Sequence, residues 1–381
     1  MKKILYFIDD LSMGGIQKLA LDWVSNFDKK KIKIDFLLLD QGINYELEST
    51  FQQLGSNVYK LKGVWINTPF DYIKYCKSCS MFFKEHNDYD IVELHSSSKN
   101  FLILKYAKKY GIKTRIAHSH NIGFQTKNMV KIFIGNILKY ELKKYSTDFL
   151  ACSKDAGRWL FGNKIINSDK FDIIYNSIDF NKFVYNQKVR QDIRNTLKIS
   201  DDTFVVGHIG RFNEQKNHMF LIHIFEEILK INSDSKLLLL GDGILKDEIN
   251  KYVISNNLSD KIYFMGIKTN VNEYLQAMDA FVFPSLYEGL GIVLIEAQAS
   301  GLKVYTSKNV VPIEANISDT LFNYIDLKSN NYKEWAEKVL HDRNNYSRNN
   351  LVVNKGNYDL NNTIKKLEDY YLSRGEEYGK N

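Results

Sequence analysis

The sequence predicts an α/β protein of two doubly wound, parallel-sheet, Rossmann-like domains with a cleft between them. Three observations lead there. At 381 residues the chain exceeds the roughly 250–300 residues at which one hydrophobic core stops growing. Short apolar runs alternate with amphipathic segments along its length, the pattern of a parallel sheet covered on both faces. Glycines, cations and histidines gather directly after the predicted strands, where ligands of such sheets bind.

MKKILYFIDD opens the chain. Its apolar run is too short for a signal peptide and is cut by Asp9 and Asp10, so it reads as a first strand over 4–8. Further strands are expected at 34–39, 58–61, 91–94, 114–118 and 149–152, with helices at 17–27, 72–83 and 130–145 between them. A second series begins with TFVVGHIG near 204. It continues through KLLLLG (236–241), KIYFMG (261–266) and AFVFP (280–284), and ends at LKVYTS (302–307). The halves meet at IIYNSIDFNKF (173–183), read as a last strand and a crossover. The expected domains are 1–177 and 178–356, followed by 357–381, which holds a helix over 363–372.

Composition narrows the function. The net charge is +7 with 25% charged residues, but no Arg-rich stripe or recognition module accompanies it, so nucleic acid is not expected as a partner. Attraction to anionic lipid or to an anionic acceptor is the better use of that charge. No run approaches the ~18 apolar residues that cross a bilayer. Three cysteines, Cys76, Cys79 and Cys152, fit a reducing cytoplasm. Cys76 and Cys79 form a CxxC inside an expected helix with no second ligand pair, and read as buried thiols.

Chemistry concentrates in DAFVFPSLYEGLGIVLIEAQASGLKV (279–304). A strand ends at Pro284, which has no N–H for a ladder. Glu288 and the turn Gly289-Leu290-Gly291 come next, then a helix over 292–299 that carries Glu296 about two turns in. Backbone amides at that helix start suit a phosphate, and two flanking carboxylates suit hydroxyls at both ends of a nucleotide sugar. In GHIGRFNEQKNH (207–218), Arg211 leaves a strand after Gly210 and Lys216 opens the next helix. Two cations so spaced can converge on a departing pyrophosphate, although solvated surface charge is the common fate of both residue types.

Weaker signals flank these. Gly14-Gly15 after the first strand lets a ligand approach the backbone, though a tight turn alone would need glycine. HSHN (118–121) places His118 and His120 at a strand end, able to bond a hydroxyl or move a proton. With no third ligand evident, no metal is expected there. Asp88-Tyr89-Asp90 resembles a metal–nucleotide DxD but precedes its strand, at the wrong end. Gly241-Asp242-Gly243 starts like a dinucleotide fingerprint and then has Lys246 in its last position. The segment Lys127–Lys144 fits either a membrane-surface helix or one packed on its own sheet, and its apolar stripe favours packing.

Taken together, MGGIQ (13–17), AHSHN (117–121), YNSID (175–179), GHIGRFNEQKN (207–217), LLLLGDG (237–243), FMG (264–266) and EGLGIVLIE (288–296) resemble the family 4 glycosyltransferases. These have the GT-B fold and include enzymes of bacterial capsule and exopolysaccharide synthesis. The resemblance covers nearly the whole chain. It implies retaining, metal-independent transfer from a nucleotide diphosphate sugar, with a UDP-sugar expected, to a lipid-linked oligosaccharide in the cytoplasm, with peripheral contact at the inner membrane face. It implies catalytic roles for Glu288 (donor-sugar hydroxyls), His120 (reaction centre, acceptor side), and Arg211 and Lys216 (diphosphate). The donor-binding set is Gly14, Gly15, Gly210, Gly241, Gly266, Gly289, Leu290, Gly291 and Glu296, the last on the ribose. Gln17, where many relatives carry Glu, faces the acceptor with His118 and Asn121. No cofactor is implied, and the C-terminal helix is expected back on the first domain. Two other classes remain. A nucleotide-sugar sensor of the same fold would have no need of leaving-group cations. A dehydrogenase should carry a complete GxGxxG with an acidic residue about 20 positions on, and this chain has none.

Overall fold

The computed structural model describes every residue except 13, 44, 46, 62–68, 125–127, 342–347, 349–352 and 375–381. Met13 of the first glycine motif and Lys127 of the lysine-rich segment thus lie outside the described residues. The chain forms two compact units. One comprises Met1–Ile178 with Asn357–Asn381, the other Asp179–Gly356.

The N-terminal unit holds seven strands: β1 (Lys2–Phe7), β2 (Ile32–Leu39), β3 (Val58–Leu61), β4 (Ile91–Leu94), β5 (Thr114–Ser119), β6 (Asp148–Ala151) and β7 (Phe171–Ile173). All pair in parallel, in the order β3-β2-β1-β4-β5-β6-β7. Every residue of β4, β5 and β6 is buried, as a strand covered on both faces requires. One face packs Trp23, Phe36, Leu367 and Tyr371, the other Phe83, Leu104 and Phe161. The helix Leu360–Ser373 is therefore part of this unit's own core. It starts at Asp359, whose carboxylate accepts from the amides of Asn361 and Asn362, a side-chain cap for otherwise unpaired donors.

The C-terminal unit holds β8 (Phe204–Ile209), β9 (Ser235–Leu240), β10 (Ile262–Gly266), β11 (Ala280–Phe283), β12 (Lys303–Ser307) and β13 (Phe322–Ile325), ordered β10-β9-β8-β11-β12-β13 and again parallel. Strand order reverses between β1 and β4 in one sheet and between β8 and β11 in the other. Those reversals mark where ligands of open α/β sheets bind.

Three expectations need correction. The last N-terminal strand, β7, starts ahead of the run expected to hold it and shares only Ile173 with it. Of the residues after β7, Ile174 alone stays in register, donating its N–H to Ala151. Beyond it the chain bridges Ile178 to Asp359, so its apolar residues are buried without belonging to a sheet. The second sheet does not end at 302–307, because β13 adds an edge strand of four residues, too short for its period to stand out. Finally, the helix Met129–Tyr145 does not turn its apolar stripe inward. Met129, Val130, Phe133, Ile134, Ile137 and Tyr140 are all exposed, and only Leu142 is buried. The helix seats instead through Gly135, where an added Cβ would fall 2.4 Å from the Phe124 ring, and whose carbonyl accepts from Ser98 Oγ.

Candidate active site

In the C-terminal unit the loops leaving β8 and β11 are stitched together. Leu286 donates its N–H to the Gln215 carbonyl at 2.8 Å, Asn217 donates to the Pro284 carbonyl at 3.2 Å, and Gln215 Nε2 donates to the Tyr287 carbonyl at 3.0 Å. Asn213 Oδ1 accepts from the Lys216 amide. Asn217 then takes the left-handed conformation (φ 53°) that starts the helix His218–Ile231, a geometry Asn tolerates better than most residues.

This stitching brings Lys216 and Glu288 together, although they belong to separate sequence motifs. Lys216 Nζ lies 2.5 Å from Glu288 Oε2, with side chains 14% and 10% exposed. The ammonium also stands 4.4 Å above the Phe283 ring, a cation–π contact strengthened by partial desolvation. Gly210 makes room for the lysine, because a Cβ there would sit 3.1 Å from Lys216 Cγ. Arg211, beside it, is exposed and has no side-chain partner among the described residues.

Next along the chain, Gly291 (φ 74°) caps the helix Ile292–Ala299. Leu290 is buried at its start, and Glu296 is buried further in. Gly289 lies in the same loop, half-buried. Gly266 closes β10 at φ 67°, with nothing within 4 Å of an added Cβ. Gly241 has a different reason to be glycine. Its φ is 134°, and a Cβ would fall 2.1 Å from the Gly210 carbonyl oxygen, so its absence lets the ends of β9 and β8 press together. Lys246, which broke the dinucleotide pattern, pairs with Asp242 at 2.7 Å.

In the N-terminal unit, Gly14 precedes the helix Gly15–Asn26. A Cβ on Gly14 would meet Gln17 Oε1 at 2.5 Å, whereas one on Gly15 would meet nothing within 4 Å, leaving open space over that backbone. Gln17 turns back to donate from Nε2 to the Asp10 carbonyl (3.1 Å) and Asp10 Oδ1 (3.3 Å). His118 is the penultimate residue of β5 and His120 lies just past its end, with the two rings stacked at 4.2 Å. Asn121 is exposed beside them, its carbonyl accepting from Ser119 Oγ.

The expectation that no third ligand accompanies the histidine pair is overturned. His95, directly after β4, joins His118 and His120, and their ligating atoms all lie within 4.8 Å of one another. Existing bonds already engage these rings. His95 Nδ1 lies 3.0 Å from His120 Nε2, and His118 Nδ1 lies 2.7 Å from Glu93 Oε1. Each ring still keeps one nitrogen without a hydrogen bond, His95 Nε2, His118 Nε2 and His120 Nδ1. Glu93 is fully buried, and its other oxygen accepts from Tyr371 Oη at 2.6 Å, with Tyr6 Oη 2.6 Å beyond that hydroxyl. Burial raises the Glu93 carboxyl, opposed by His95 and the Tyr371 bond. Burial likewise drives His118 down to about 3, and His95 and His120 well below their usual value, with the Asn176 amide pulling His120 the other way.

Sequence reasoning missed Glu93, His95 and Tyr371. A carboxylate inside the apolar run IVEL was the available signal for Glu93, since charges are almost never fully buried unless paired. The decoys fall away. Asp88 pairs with Lys3 Nζ and Asp90 accepts the Lys3 amide, both at the amino end of β4. Of the two cysteines expected to be buried, Cys79 is a buried free thiol and Cys76 only a half-buried one. Among the described residues, no helix is long and apolar enough to cross a membrane.

Residues 189–354 match the family model described as "Glycosyl transferases group 1". The chain is 28% identical over 344 residues to the putative glycosyltransferase EpsF of Bacillus subtilis, covering 89% of this chain and 87% of that one. It is 25% identical over 318 residues (79% and 80%) to an Escherichia coli UDP-Gal:alpha-D-GlcNAc-diphosphoundecaprenol alpha-1,3-galactosyltransferase. The crystal structure of Anabaena Alr3699/HepE with UDP and glucose superposes at a TM-score of 0.78 and 16% identity, over 98% of this chain and 100% of that one.

Proposed function

From the premise that this chain is a GT-B glycosyltransferase of the bacterial capsule and exopolysaccharide type, we propose that it moves a sugar from a UDP-sugar to a lipid-linked saccharide. In this reading the anomeric configuration is retained and no metal ion takes part. The observation that carries it is the Lys216–Glu288 pair at the β8/β11 reversal, beside Arg211 and the amino end of the helix Ile292–Ala299. Arg211 and Lys216 would hold the diphosphate and stabilise its charge as the bond to the sugar breaks, doing what an ion does elsewhere. Glu288 would then trade part of its lysine contact for donor-sugar hydroxyls, while Glu296 holds the ribose. For retention, the acceptor oxygen bonds to the anomeric carbon on the face the diphosphate leaves, and its proton passes to a donor phosphate oxygen. The choice of UDP and of a lipid diphosphate acceptor leans on the galactosyltransferase relative, whose name carries both.

The histidine cluster and Gln17 of the N-terminal unit are assigned to the acceptor. Contact with the inner face of the membrane is assigned to the helix Met129–Tyr145. Its exposed apolar residues recur at positions 130, 133, 137 and 140, one face of a helix, with Lys131 and Lys144 exposed on the same element. A basic apolar helix of this kind lies in a lipid interface.

The reading is tested by thermal stability against UDP, GDP, ADP and NAD, with and without EDTA. UDP at a hundred times its dissociation constant should stabilise by about 2.7 kcal/mol, unchanged by EDTA. A shift with NAD alone, or with no nucleotide, would count against it. Retention is read from the product's anomeric configuration. For the membrane, sedimentation with phosphatidylglycerol vesicles, but not phosphatidylcholine ones, is expected to be lost in the double variant Phe133→Asp, Ile137→Asp.

A further inference from the structure

We propose that Glu93 and His95 are positioning residues that hold His120 in a single tautomer, its proton on Nε2 and its lone pair on Nδ1. A chain of charges and lone pairs in the N-terminal unit places each proton in turn. Glu93 receives donors on both oxygens, His118 Nδ1 at 2.7 Å and Tyr371 Oη at 2.6 Å, so it is the acceptor from which the other protons are placed. His95 Nε2 lies 3.3 Å from the same Glu93 Oε1. The contact is not aligned as a hydrogen bond, but a lone pair at that nitrogen would still lie beside a carboxylate oxygen in a buried network, which is costly. His95 therefore carries its proton on Nε2, and its Nδ1 is an acceptor. One ring nitrogen in a neutral imidazole donates and the other accepts. The 3.0 Å contact between His95 Nδ1 and His120 Nε2 must then be a bond donated by His120. What remains is His120 Nδ1, buried and making no well-formed hydrogen bond. The Asn176 amide also acts on this ring, and with Nε2 donating, its NH2 can turn to the Nδ1 lone pair or yield that acceptor to a hydroxyl.

The surroundings fix the rings as well as the protons. His118 stacks on His120 at 4.2 Å, Trp23 stacks on His118 at 5.9 Å, and Tyr6 meets His95 edge-on at 4.4 Å. A second ring nitrogen bonded to a fixed partner is how imidazoles are oriented at reactive sites. The inference rests on the acceptor-side role of His120 for its meaning, but not for its test.

The test is two-bond ¹⁵N–¹H correlation spectroscopy of histidine-labelled full-length protein, without substrate. His120 is expected as the Nε2–H tautomer in the wild type. His95→Ala should let it sample both tautomers. His95→Asn, whose Oδ1 can stand in for the accepting Nδ1, should hold it in one. In turnover assays His95→Ala should lower kcat by about ten-fold or more with donor KM little changed, the scale of a misplaced acid–base group, and His95→Asn should recover most of that loss. An Nδ1–H tautomer in the wild type would overturn the proposal, as would an unchanged tautomer in His95→Ala. So would one equivalent of zinc in the purified protein, since the lone pairs would then belong to the ion. The spectra need no activity, so a wrong acceptor assignment would leave them intact while the kinetic split vanished.

Discussion

The two units place their candidate site residues at the same topological position, the reversal of strand order, and build them in opposite ways. In the C-terminal unit a short stretch after β8 and another after β11 supply nearly everything. Lys216 and Glu288 meet at the surface of the sheet end, partly desolvated and already paired. In the N-terminal unit the groups come from β1, β4, β5 and the helix Leu360–Ser373, and all but the half-buried His120 are buried around Glu93. The first arrangement keeps charge ready for a charged ligand. The second stores protons in fixed places and makes the unit depend on its own last helix.

Acid should separate the two most strongly. Buried histidines held below their ordinary value bind fewer protons folded than unfolded, so stability is lost as pH falls from about 6.5 towards the folded values. The N-terminal unit has three such groups, His95, His118 and His120. The C-terminal unit has two, His208 and His218, the latter lowered to about 4. His118 alone is worth on the order of 3 kcal/mol at pH 4. Glu93 opposes this, because its raised carboxyl gains its proton more easily when folded, but it is one group against three. Hydrogen exchange, read peptide by peptide and corrected for intrinsic rates, is expected to show the N-terminal unit opening first between pH 6.5 and 4. Equal losses in both units would erase the contrast.

The next largest effect belongs to the paired site. Glu288→Gln or Lys216→Ala is expected to lower kcat by roughly 10²–10³-fold, the loss seen when one charge-stabilising group is removed, with circular dichroism and melting little altered. The double variant should lose less than the product of the two, since each single change leaves the other charge without its partner. Near-normal turnover in either single variant would remove that residue from the site.

Gly241→Ala sharpens the comparison from the structural side. The new Cβ would strike the Gly210 carbonyl, at a φ that L residues rarely adopt. The expected cost is about 1–3 kcal/mol, seen as a lower melting temperature together with weaker nucleotide binding, because the end of β8 must shift. A loss of binding with no loss of stability would instead make Gly241 a ligand contact.

The same contrast decides how much was legible in the sequence. The C-terminal site could be read because its residues are close in sequence and each comes after an apolar run: Arg211 and Lys216 after β8, Glu288 after β11. What sequence could not give was the Lys216–Glu288 contact, which depends on β8 and β11 being neighbours across 72 positions. In the N-terminal unit His118 and His120 were visible as a strand-end pair. Glu93, His95 and Tyr371 were not singled out, because their partners are set by sheet order and by a helix more than 270 residues away. The helix Met129–Tyr145 misled for a different reason. An apolar stripe reads the same whether it faces a core or solvent, and only the seat made by Gly135 against Phe124 shows which side is covered.

The smallest effect probes that dependence on the last helix. Tyr371→Phe removes one hydroxyl and leaves the ring in place, so packing in the core around Leu367 is kept. Glu93 Oε2 then loses its donor in a fully buried site, and leaving such a group unpaired costs about 1–3 kcal/mol. Tyr6 Oη stands 2.6 Å from the lost hydroxyl and can swing towards the carboxylate, so the lower end of that range is expected. The double variant Tyr6→Phe, Tyr371→Phe should cost more than the two single changes added together, because each single variant leaves the other hydroxyl able to take over the vacant bond. The same variants should leave UDP binding unchanged, since Arg211, Lys216 and Glu296, proposed above to hold UDP, belong to the other unit. A fall in UDP affinity in Tyr371→Phe would mean that the buried network and the nucleotide site are coupled, and the contrast between a self-contained donor site and a helix-dependent histidine cluster would have to be given up.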